Sequence, residues 1–314
     1  METHILIIGA GAVGAYFGSR LHQPGKSAVS VVCRSNYDAV HTNGFQLSTA
    51  RFGSYSFRPK TFSSVQAAAE QDYDHIIVTT KQVNADIPTL IRPAVTAKTM
   101  IHLIQNGIDI EHVVQTEFPY NSISSGVTYI AVTQTAPGII QQPKGIEDLY
   151  LGLFQHDEAA RDKLALFIEL AKQGGLNAFG PVADIQEVRW HKLLWNGSFN
   201  PVSILAGGKN CKQLLDCTET RQLILAMMTE ISAVAAVAMK RPFAAHLMTV
   251  ETYMAKTANL GEYKPSMLLD WENGRPIELE AILGNLIRIA KRLNISVDRC
   301  DTVYCLLKCM MLKV

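Results

Sequence analysis

The stretch Gly9-Ala10-Gly11-Ala12-Val13-Gly14, directly after the apolar run Ile5 to Ile8, says most about the architecture of this chain. It spells G-x-G-x-x-G at the point where a buried strand would pass into a helix. There the first glycine permits a tight turn, the second lets the backbone approach a pyrophosphate, and the third lets helix and strand pack closely. The phosphates would lie on free N–H groups at the positive end of the helix. The stretch predicts a dinucleotide site; the alternative is a turn with only a structural role.

The end of the next predicted strand, 28–33, indicates which dinucleotide is bound. An NAD-binding unit usually places Asp or Glu here to hold the ribose 2′-hydroxyl. This chain has Arg34, and a guanidinium pairs with a 2′-phosphate through charge-assisted hydrogen bonds, whereas a carboxylate would repel it. We therefore expect NADP(H) as the cofactor. The alternative is that Arg34 is a solvated charge at the end of a strand.

The alternation of apolar segments predicts the fold class. Two further parallel strands, 75–80 and 100–104, are followed by polar residues at Lys81 and Asn106, where parallel strands meet a ligand. Later strands are expected at 125–133 and 149–153, with a turn at Pro137-Gly138 between them and a helix over 157–172. Beyond residue 181 the pattern is helical. The helices are predicted at 184–206, 218–239, 243–259, 276–292 and 298–312.

These segments predict an α/β protein: an N-terminal Rossmann-type doubly wound domain (1–181) that binds NADP, followed by an all-helical C-terminal domain (182–314). The second domain would bind the substrate and close the crevice over the nicotinamide. Helical second domains commonly serve dimerisation, so a homodimer is one expectation; the sequence leaves the oligomeric state open.

Composition fits a soluble enzyme. The chain has 314 residues and a formal net charge of +1, which gives no electrostatic footprint for nucleic acid or an anionic membrane. We expect no signal peptide, and the apolar segment 223–239 is expected to be too short and too polar to span a bilayer. The six cysteines show no C-x-x-C pairing, so we expect free thiols, no metal site and a cytoplasmic location.

A polar row opens the helical half. Lys192, Asn196 and Asn200 are spaced i, i+4 and i+8, which places them on one helix face over about 12 Å. Pro201 predicts that the helix kinks or stops at Asn200. Apolar neighbours would desolvate the lysine, and its lowered pKa would suit acid catalysis near neutral pH. The alternative is a snorkelling lysine with two surface asparagines.

The chain resembles the ketopantoate reductases (2-dehydropantoate 2-reductases), NADPH-dependent enzymes of pantothenate biosynthesis. Motifs spread over nearly the whole chain carry the resemblance and occur in the family's order. They are the glycine-rich stretch, Thr79-Thr80-Lys81, Gln105-Asn106-Gly107, the Lys192…Asn196…Asn200-Pro201 row, Pro265-Ser266-Met267-Leu268, and the segment Glu278 to Gly284.

The resemblance implies a reduction of ketopantoate, or of another 2-keto acid, in which hydride reaches the carbonyl carbon. Lys192 would be the general acid, and Glu278 would orient the substrate hydroxyl and Lys192. The other implied contacts fall into two groups. Substrate ligands would be Asn106, Asn196, Asn200, Asn210 and Ser266, and cofactor contacts would be Gly9, Ala10, Gly11, Ala12, Val13, Gly14, Arg34, Lys81, Asn106, Ala131 and Glu278.

Several alternatives stay open at this stage. Glu278 could be a charge on a helix surface, and Ser266 could be an N-cap, with or without a substrate role. Trp195 and Gly207-Gly208 depart from the family pattern and could reshape the substrate pocket. Two other classes remain: a non-catalytic NADP-binding sensor, and a β-hydroxyacid dehydrogenase of the 6-phosphogluconate type, which also uses a K-x-x-x-N helix.

Overall fold

The computed structural model of the protein describes residues 2–83, 86–155 and 157–312. The chain divides into two compact units. The first unit comprises Met1–Gln105 and Ile110–Ile185, and the second comprises Asn106–Asp109 and Gln186–Val314. The sequence-based division after residue 181 did not anticipate that the short segment 106–109 belongs with the helical half.

The first unit is built on an eight-stranded sheet with the strand order β12-β11-β8-β7-β6-β1-β2-β5. Only β8 and β11 pair antiparallel; the other neighbours run parallel. The strands of the first unit, which belong to this sheet and to a second, smaller one, are β1 (Thr3–Ile8), β2 (Ser27–Val32), β3 (Phe45–Thr49), β4 (Gly53–Phe57), β5 (Lys60–Phe62), β6 (His75–Val78), β7 (Met100–Leu103), β8 (Ile123–Ile130), β9 (Thr133–Ala136), β10 (Ile139–Gln142), β11 (Glu147–Leu153) and β12 (Ala178–Phe179).

Helices of the first unit follow its strands. They are α1 (Ala12–Leu21), α2 (Tyr37–Asn43), α3 (Val65–Ala68), α4 (Ile87–Ile91), α5 (His112–Glu117) and α6 (Glu158–Gln173), with a 3₁₀ turn at Arg92–Ala94. The last four residues of β1 are fully buried, which is typical of a central parallel strand covered on both faces. The predicted Rossmann-type α/β fold class is confirmed, and so is the helix near 157–172.

A second, four-stranded sheet in the first unit was not predicted. Its order is β4-β3-β10-β9, and the predicted turn at Pro137-Gly138 joins its strands β9 and β10. β3 alternates buried and exposed residues, while β4 and β9 are mostly exposed. Such short strands have no continuous apolar run, so their pairing depends on partners distant in the sequence.

Among the described residues of the second unit, the regular secondary structure is all helical. Its helices are α7 (Ile185–Asn196), α8 (Phe199–Leu205), α9 (Cys211–Asp216), α10 (Thr218–Ala238), α11 (Val250–Ala258), α12 (Ser266–Glu272), α13 (Asn285–Arg292) and α14 (Asp298–Met310), with a π-helical segment at Glu280–Gly284. The predicted helices 218–239 and 298–312 are confirmed.

Two predicted helix starts are wrong. The helix predicted over 243–259 begins only at Val250, because the Thr249 hydroxyl accepts a hydrogen bond from the Thr252 N–H and caps the helix there. The segment predicted as helix from residue 276 is non-helical up to Glu278 and continues into the π-helical turn. A π turn is a rare local variant that periodicity does not reveal.

The predicted helix 184–206 is interrupted earlier than expected. α7 ends at Asn196, and α8 already contains Asn200 and Pro201. The break falls at Gly197-Ser198 because the ring of Pro201 disfavours a helical carbonyl four residues before it. The Ser198 hydroxyl donates to the Leu194 carbonyl oxygen at 2.6 Å and satisfies this helix end.

Helix α10 contains the apolar segment 223–239, which the sequence predicted to be too short and too polar to span a bilayer. It has 21 residues, and its most apolar 18-residue window has a mean hydropathy of 1.4, so within the described chain it is long and apolar enough to cross a membrane by length and composition alone. The expectation that this segment is too short is wrong, because the helix begins at Thr218. One face of α10 packs into the core of the second unit through Ile224, Met227, Met228, Ile231, Val234 and Ala235.

Candidate active site

The glycine-rich loop after β1 has the geometry that a dinucleotide-binding turn requires. Gly9 has a φ of +109°, and a Cβ there would lie 2.5 Å from the Thr80 backbone nitrogen. A Cβ on Gly14 would lie 2.4 Å from the Gly9 carbonyl oxygen. At Gly11, in contrast, an added Cβ would meet no described atom within 4 Å. The first and third glycines are therefore required by packing, while the second faces open space.

The start of α1 fits the phosphates of a dinucleotide. Gly11 is the N-cap residue, and the first turn of α1, which is fully described, has no acidic side chain to oppose a phosphate. Two side chains from the segments that follow the neighbouring strands β6 and β2 bind the loop. The Thr79 hydroxyl donates to the Gly9 carbonyl oxygen at 2.7 Å, and the Asn36 Nδ2 donates to that of Ala10 at 2.7 Å. Asn36 was not among the predicted residues.

Arg34 and Lys81 occupy the same edge of the sheet as the glycine-rich loop. Arg34 follows β2 and Lys81 comes shortly after β6, and these two strands flank β1 in parallel. Both side chains are exposed. Ala131 directly follows β8. The first unit thus holds every predicted cofactor residue except Asn106 and Glu278.

In the second unit, a chain of hydrogen bonds joins Lys192, Asn106 and Glu278. The Lys192 ammonium donates to Asn106 Oδ1 at 2.8 Å, and Asn106 Nδ2 donates to Glu278 Oε2 at 2.9 Å. Lys192 is half-buried, and Glu278 is only 8% exposed. The alternatives of a snorkelling lysine and of a surface carboxylate at Glu278 are therefore wrong.

The surroundings of Lys192 change its acidity. Burial and, to a smaller extent, the positive charge of Arg189 lower the pKa of Lys192, the Glu278 carboxylate opposes them, and the net result is a pKa of about 8. Arg189 is itself buried and donates to the Gly107 carbonyl oxygen at 2.9 Å. An ammonium with such a pKa can release a proton near neutral pH.

The two asparagines of the polar row are buried rather than on the surface. Asn196 is 6% exposed and Asn200 is 1% exposed. Asn200 Oδ1 accepts from the Met267 N–H at 3.3 Å, and its Nδ2 has no hydrogen-bond partner within the described part of the chain. A buried amide donor without a partner costs free energy, which a bound acceptor would recover.

Ser266 and Asn210 take different places from those expected. Ser266 is the first residue of α12 and Pro265 is its N-cap, so the N-cap alternative for Ser266 is wrong. The Ser266 side chain is exposed. Asn210 is the N-cap of α9, where its Oδ1 accepts from the Gln213 N–H at 2.9 Å. A substrate role for Asn210 stays a prediction that would have to coexist with this cap.

The departures from the family pattern also have structural explanations. The Trp195 indole donates to the Thr257 hydroxyl at 3.2 Å and stacks on Phe199, so it packs against α11. Gly207 and Gly208 have φ angles of +75° and +85° where α8 ends, a conformation that favours glycine.

Comparison with known proteins assigns the family. The family model described as ketopantoate reductase PanE/ApbA matches residues 5–156, and the model of its C-terminal part matches residues 184–310. A crystal structure of 2-dehydropantoate 2-reductase from Methylococcus capsulatus is similar, with 37% identity, a TM-score of 0.85, and coverage of 98% of this chain and 96% of that chain.

Two further proteins are similar to this chain, one in sequence and one in fold. An uncharacterized protein of Saccharomyces cerevisiae is 33% identical over 97% of this chain and 92% of its own length. The ternary structure of D-mandelate dehydrogenase with NADH and anilino(oxo)acetate has a TM-score of 0.83 with 24% identity, and 98% of each chain is covered. This last likeness concerns the fold alone. The chain belongs to the ketopantoate reductase PanE/ApbA family of oxidoreductases.

Proposed function

We propose that the protein is a 2-dehydropantoate 2-reductase, which reduces ketopantoate to pantoate with NADPH. The observation that carries the proposal is the hydrogen-bonded chain from Lys192 through Asn106 to Glu278. A protein that only binds a cofactor has no need of a half-buried lysine that an amide links to a buried carboxylate. Family membership sets aside the β-hydroxyacid dehydrogenase alternative.

In the proposed reaction, bound NADPH supplies a hydride for the carbonyl carbon of the substrate. Lys192 Nζ donates its proton to the carbonyl oxygen as the C=O π pair moves onto that oxygen, and the neutral amine then regains a proton from water. Asn106 holds the ammonium through its Oδ1, and Glu278 holds Asn106. Asn196, Asn200 and Ser266 would bind the substrate, with Ser266 and the donor of Asn200 suited to its carboxylate.

The experiment that tests the proposal is NADPH oxidation, followed at 340 nm, with a panel of 2-keto acids that includes ketopantoate. Turnover of ketopantoate above all others supports the reductase. Turnover of another keto acid supports the second candidate, a family member with a different substrate; the occurrence of this fold in a D-mandelate dehydrogenase favours including aromatic keto acids. Tight NADPH binding without any turnover would support a sensor.

Arg34 gives the first prediction. We expect Arg34→Ala to weaken NADPH binding by about 10- to 100-fold, the loss of one charge-assisted hydrogen bond, while NADH binding is unchanged. Isothermal titration with both cofactors measures this. Arg161→Ala, which removes an exposed arginine of α6, is the matched control. An equal loss for NADPH and NADH would mean that Arg34 has a structural role.

The pKa of Lys192 gives the second prediction. Because the acid is a cation with a pKa of about 8, it is protonated below this pH and loses its proton above it. We expect kcat/KM to be level below pH 8 and to fall about tenfold per pH unit at higher pH. The NADPH dissociation constant, measured over the same range, is the control. A level profile up to about pH 10 would exclude Lys192 as the acid.

The proposal also covers the location, the ligands and the oligomeric state of the protein. We place the enzyme in the cytoplasm, with a small keto acid as its partner and neither nucleic acid nor membrane as a ligand. A homodimer through the helical unit remains a prediction, which sedimentation at several concentrations would test.

A further inference from the structure

The π-helical segment Glu280–Gly284 begins two residues after Glu278 and holds the loop that carries Asn106. π turns are rare and are often found at functional sites. Here the Ala281 carbonyl oxygen accepts a hydrogen bond from the Ile108 N–H at 3.0 Å, a partner far away in the sequence. The segment therefore binds residues 106–109, which we call the Asn106 loop.

The Asn106 loop is fixed at several atoms. Gly107 has a φ of +101°, and a Cβ there would lie 2.5 Å from the Ala281 carbonyl oxygen, so the backbones are in close contact. The Asn285 Nδ2 donates to the Ile108 carbonyl oxygen at 2.6 Å. At the far end of the loop, Arg292 pairs with Asp109 at 3.2 Å. Asn285 thus binds the loop backbone two residues after Asn106, next to the Gly107 carbonyl oxygen that Arg189 binds.

The direction of the Asn285 amide is set by Arg288. Arg288 Nη2 donates to Asn285 Oδ1 at 2.5 Å, which leaves Nδ2 to face the loop. Arg288 Nη1 is in turn paired with Glu280 at 3.0 Å. The Glu280 carboxylate also accepts from Tyr304 at 2.7 Å and from Lys308 at 2.5 Å, both on α14. A continuous network therefore leads from α14 to the Asn106 loop.

We propose that Asn285 is a positioning residue, which together with Arg288 holds the Asn106 loop so that Asn106 connects Lys192 to Glu278. The inference rests on the proposed function, in which Lys192 gives the proton. In the described part of the chain, the side-chain hydrogen bonds of Asn285 and Arg288 go to Ile108, Glu280 and each other, so both residues act on Asn106 through the loop. The segment Glu278 to Gly284 resembles the family and contributes Glu280 to this network. The other members of the network lie beyond that segment: Asn285, Arg288, Tyr304 and Lys308.

A shift of the Asn106 loop would change the pKa of Lys192 in a definite direction. The described groups that act on the Lys192 ammonium include the positive Arg189, the negative Glu278 and the oxygen of Asn106. Asn106 Oδ1 stabilises the charged form of Lys192, so its withdrawal lowers the lysine pKa. Its withdrawal also frees the ammonium to leave the position from which it donates, which lowers kcat.

The test is Asn285→Leu, which keeps the approximate size of the side chain, adds no charge and removes the donor. We expect kcat for the keto acid to fall about tenfold. The pH at which kcat/KM begins to fall on the alkaline side (the alkaline limb) should be lower by about half to one pH unit. The KM for NADPH should stay unchanged. A purely structural residue would lower stability without moving the limb. Asn259→Leu, at an exposed asparagine that ends α11, is the matched control.

Two additional measurements keep the proposal testable if Asn285→Leu folds poorly or if no keto acid is reduced. Arg288→Met removes an exposed cation and leaves the packing intact, and it should move the limb in the same direction by a smaller amount. Competitive acetylation of lysines, read by mass spectrometry over a pH range, gives the Lys192 pKa without any turnover. An inactive wild-type protein would count against the proposed function alone. An unchanged Lys192 titration in both variants would overturn the positioning role.

Discussion

Lys192→Ala should lower kcat for keto acid reduction by about 10²- to 10⁴-fold, the usual contribution of a positioned general acid. The change removes the ammonium that donates to Asn106 Oδ1 at 2.8 Å, and the alanine side chain has no proton to donate in its place. NADPH affinity should stay nearly the same, because the glycine-rich loop and Arg34 belong to the first unit. Steady-state kinetics with saturating NADPH, together with a binding titration, measures both quantities.

The matched variants decide what the lysine contributes. Lys192→Arg keeps a positive charge but cannot release a proton near neutral pH, so it should be nearly as slow as the alanine variant. Recovery of activity in Lys192→Arg would mean that charge alone is needed. Lys256→Ala, at an exposed lysine of α11, should be indistinguishable from wild type. Wild-type turnover in Lys192→Ala would refute the assignment of the acid.

The second large effect concerns the substrate hydroxyl. Ketopantoate carries a hydroxyl beside a dimethyl carbon, and a site that hydrogen-bonds it leaves a buried polar group unpaired when the hydroxyl is missing. Such sites reject the analogue by up to about 10⁴-fold. Glu278 is buried and already accepts a hydrogen bond from Asn106, so we expect its carboxylate to accept the hydrogen bond of the substrate hydroxyl as well. Wild type should strongly prefer ketopantoate to the analogue without the hydroxyl.

Glu278→Gln separates this role from simple packing. The glutamine can still accept from Asn106 through its oxygen, but it replaces a charged acceptor by a neutral amide, so the preference for the hydroxylated substrate should shrink. The measurement is a pair of kcat/KM values for each protein. Glu251→Gln, at an exposed position in the first turn of α11, is the control. If wild type uses both substrates equally well, Glu278 does not read a hydroxyl, and another keto acid is the natural substrate.

Local patterns in the sequence were sufficient for the fold class. Positions 9 and 14 require glycine because of close contacts with the end of the neighbouring strand and within the loop itself. A six-residue motif is therefore enough to predict this turn. The central strands are continuous apolar runs, and α10 and α14 show clear helical patterns. The second sheet gave no such signal, because β4 and β9 are mostly exposed and depend on partners far away in the chain.

Only the tertiary structure decided how the candidate catalytic residues come together. Asn106 is 86 residues from Lys192 and 172 residues from Glu278, yet it bonds to both, and the segment that carries it belongs to the helical unit. The sequence indicated Lys192 through its helical spacing and Asn106 through its place after a strand, and the family resemblance added Glu278, but no spacing rule joins the three residues. Asn36, Arg189 and Asn285 were missed for the same reason. Their hydrogen bonds go to backbone carbonyl oxygens of distant loops, and any residue type offers such an acceptor, so the partner leaves no mark in the sequence.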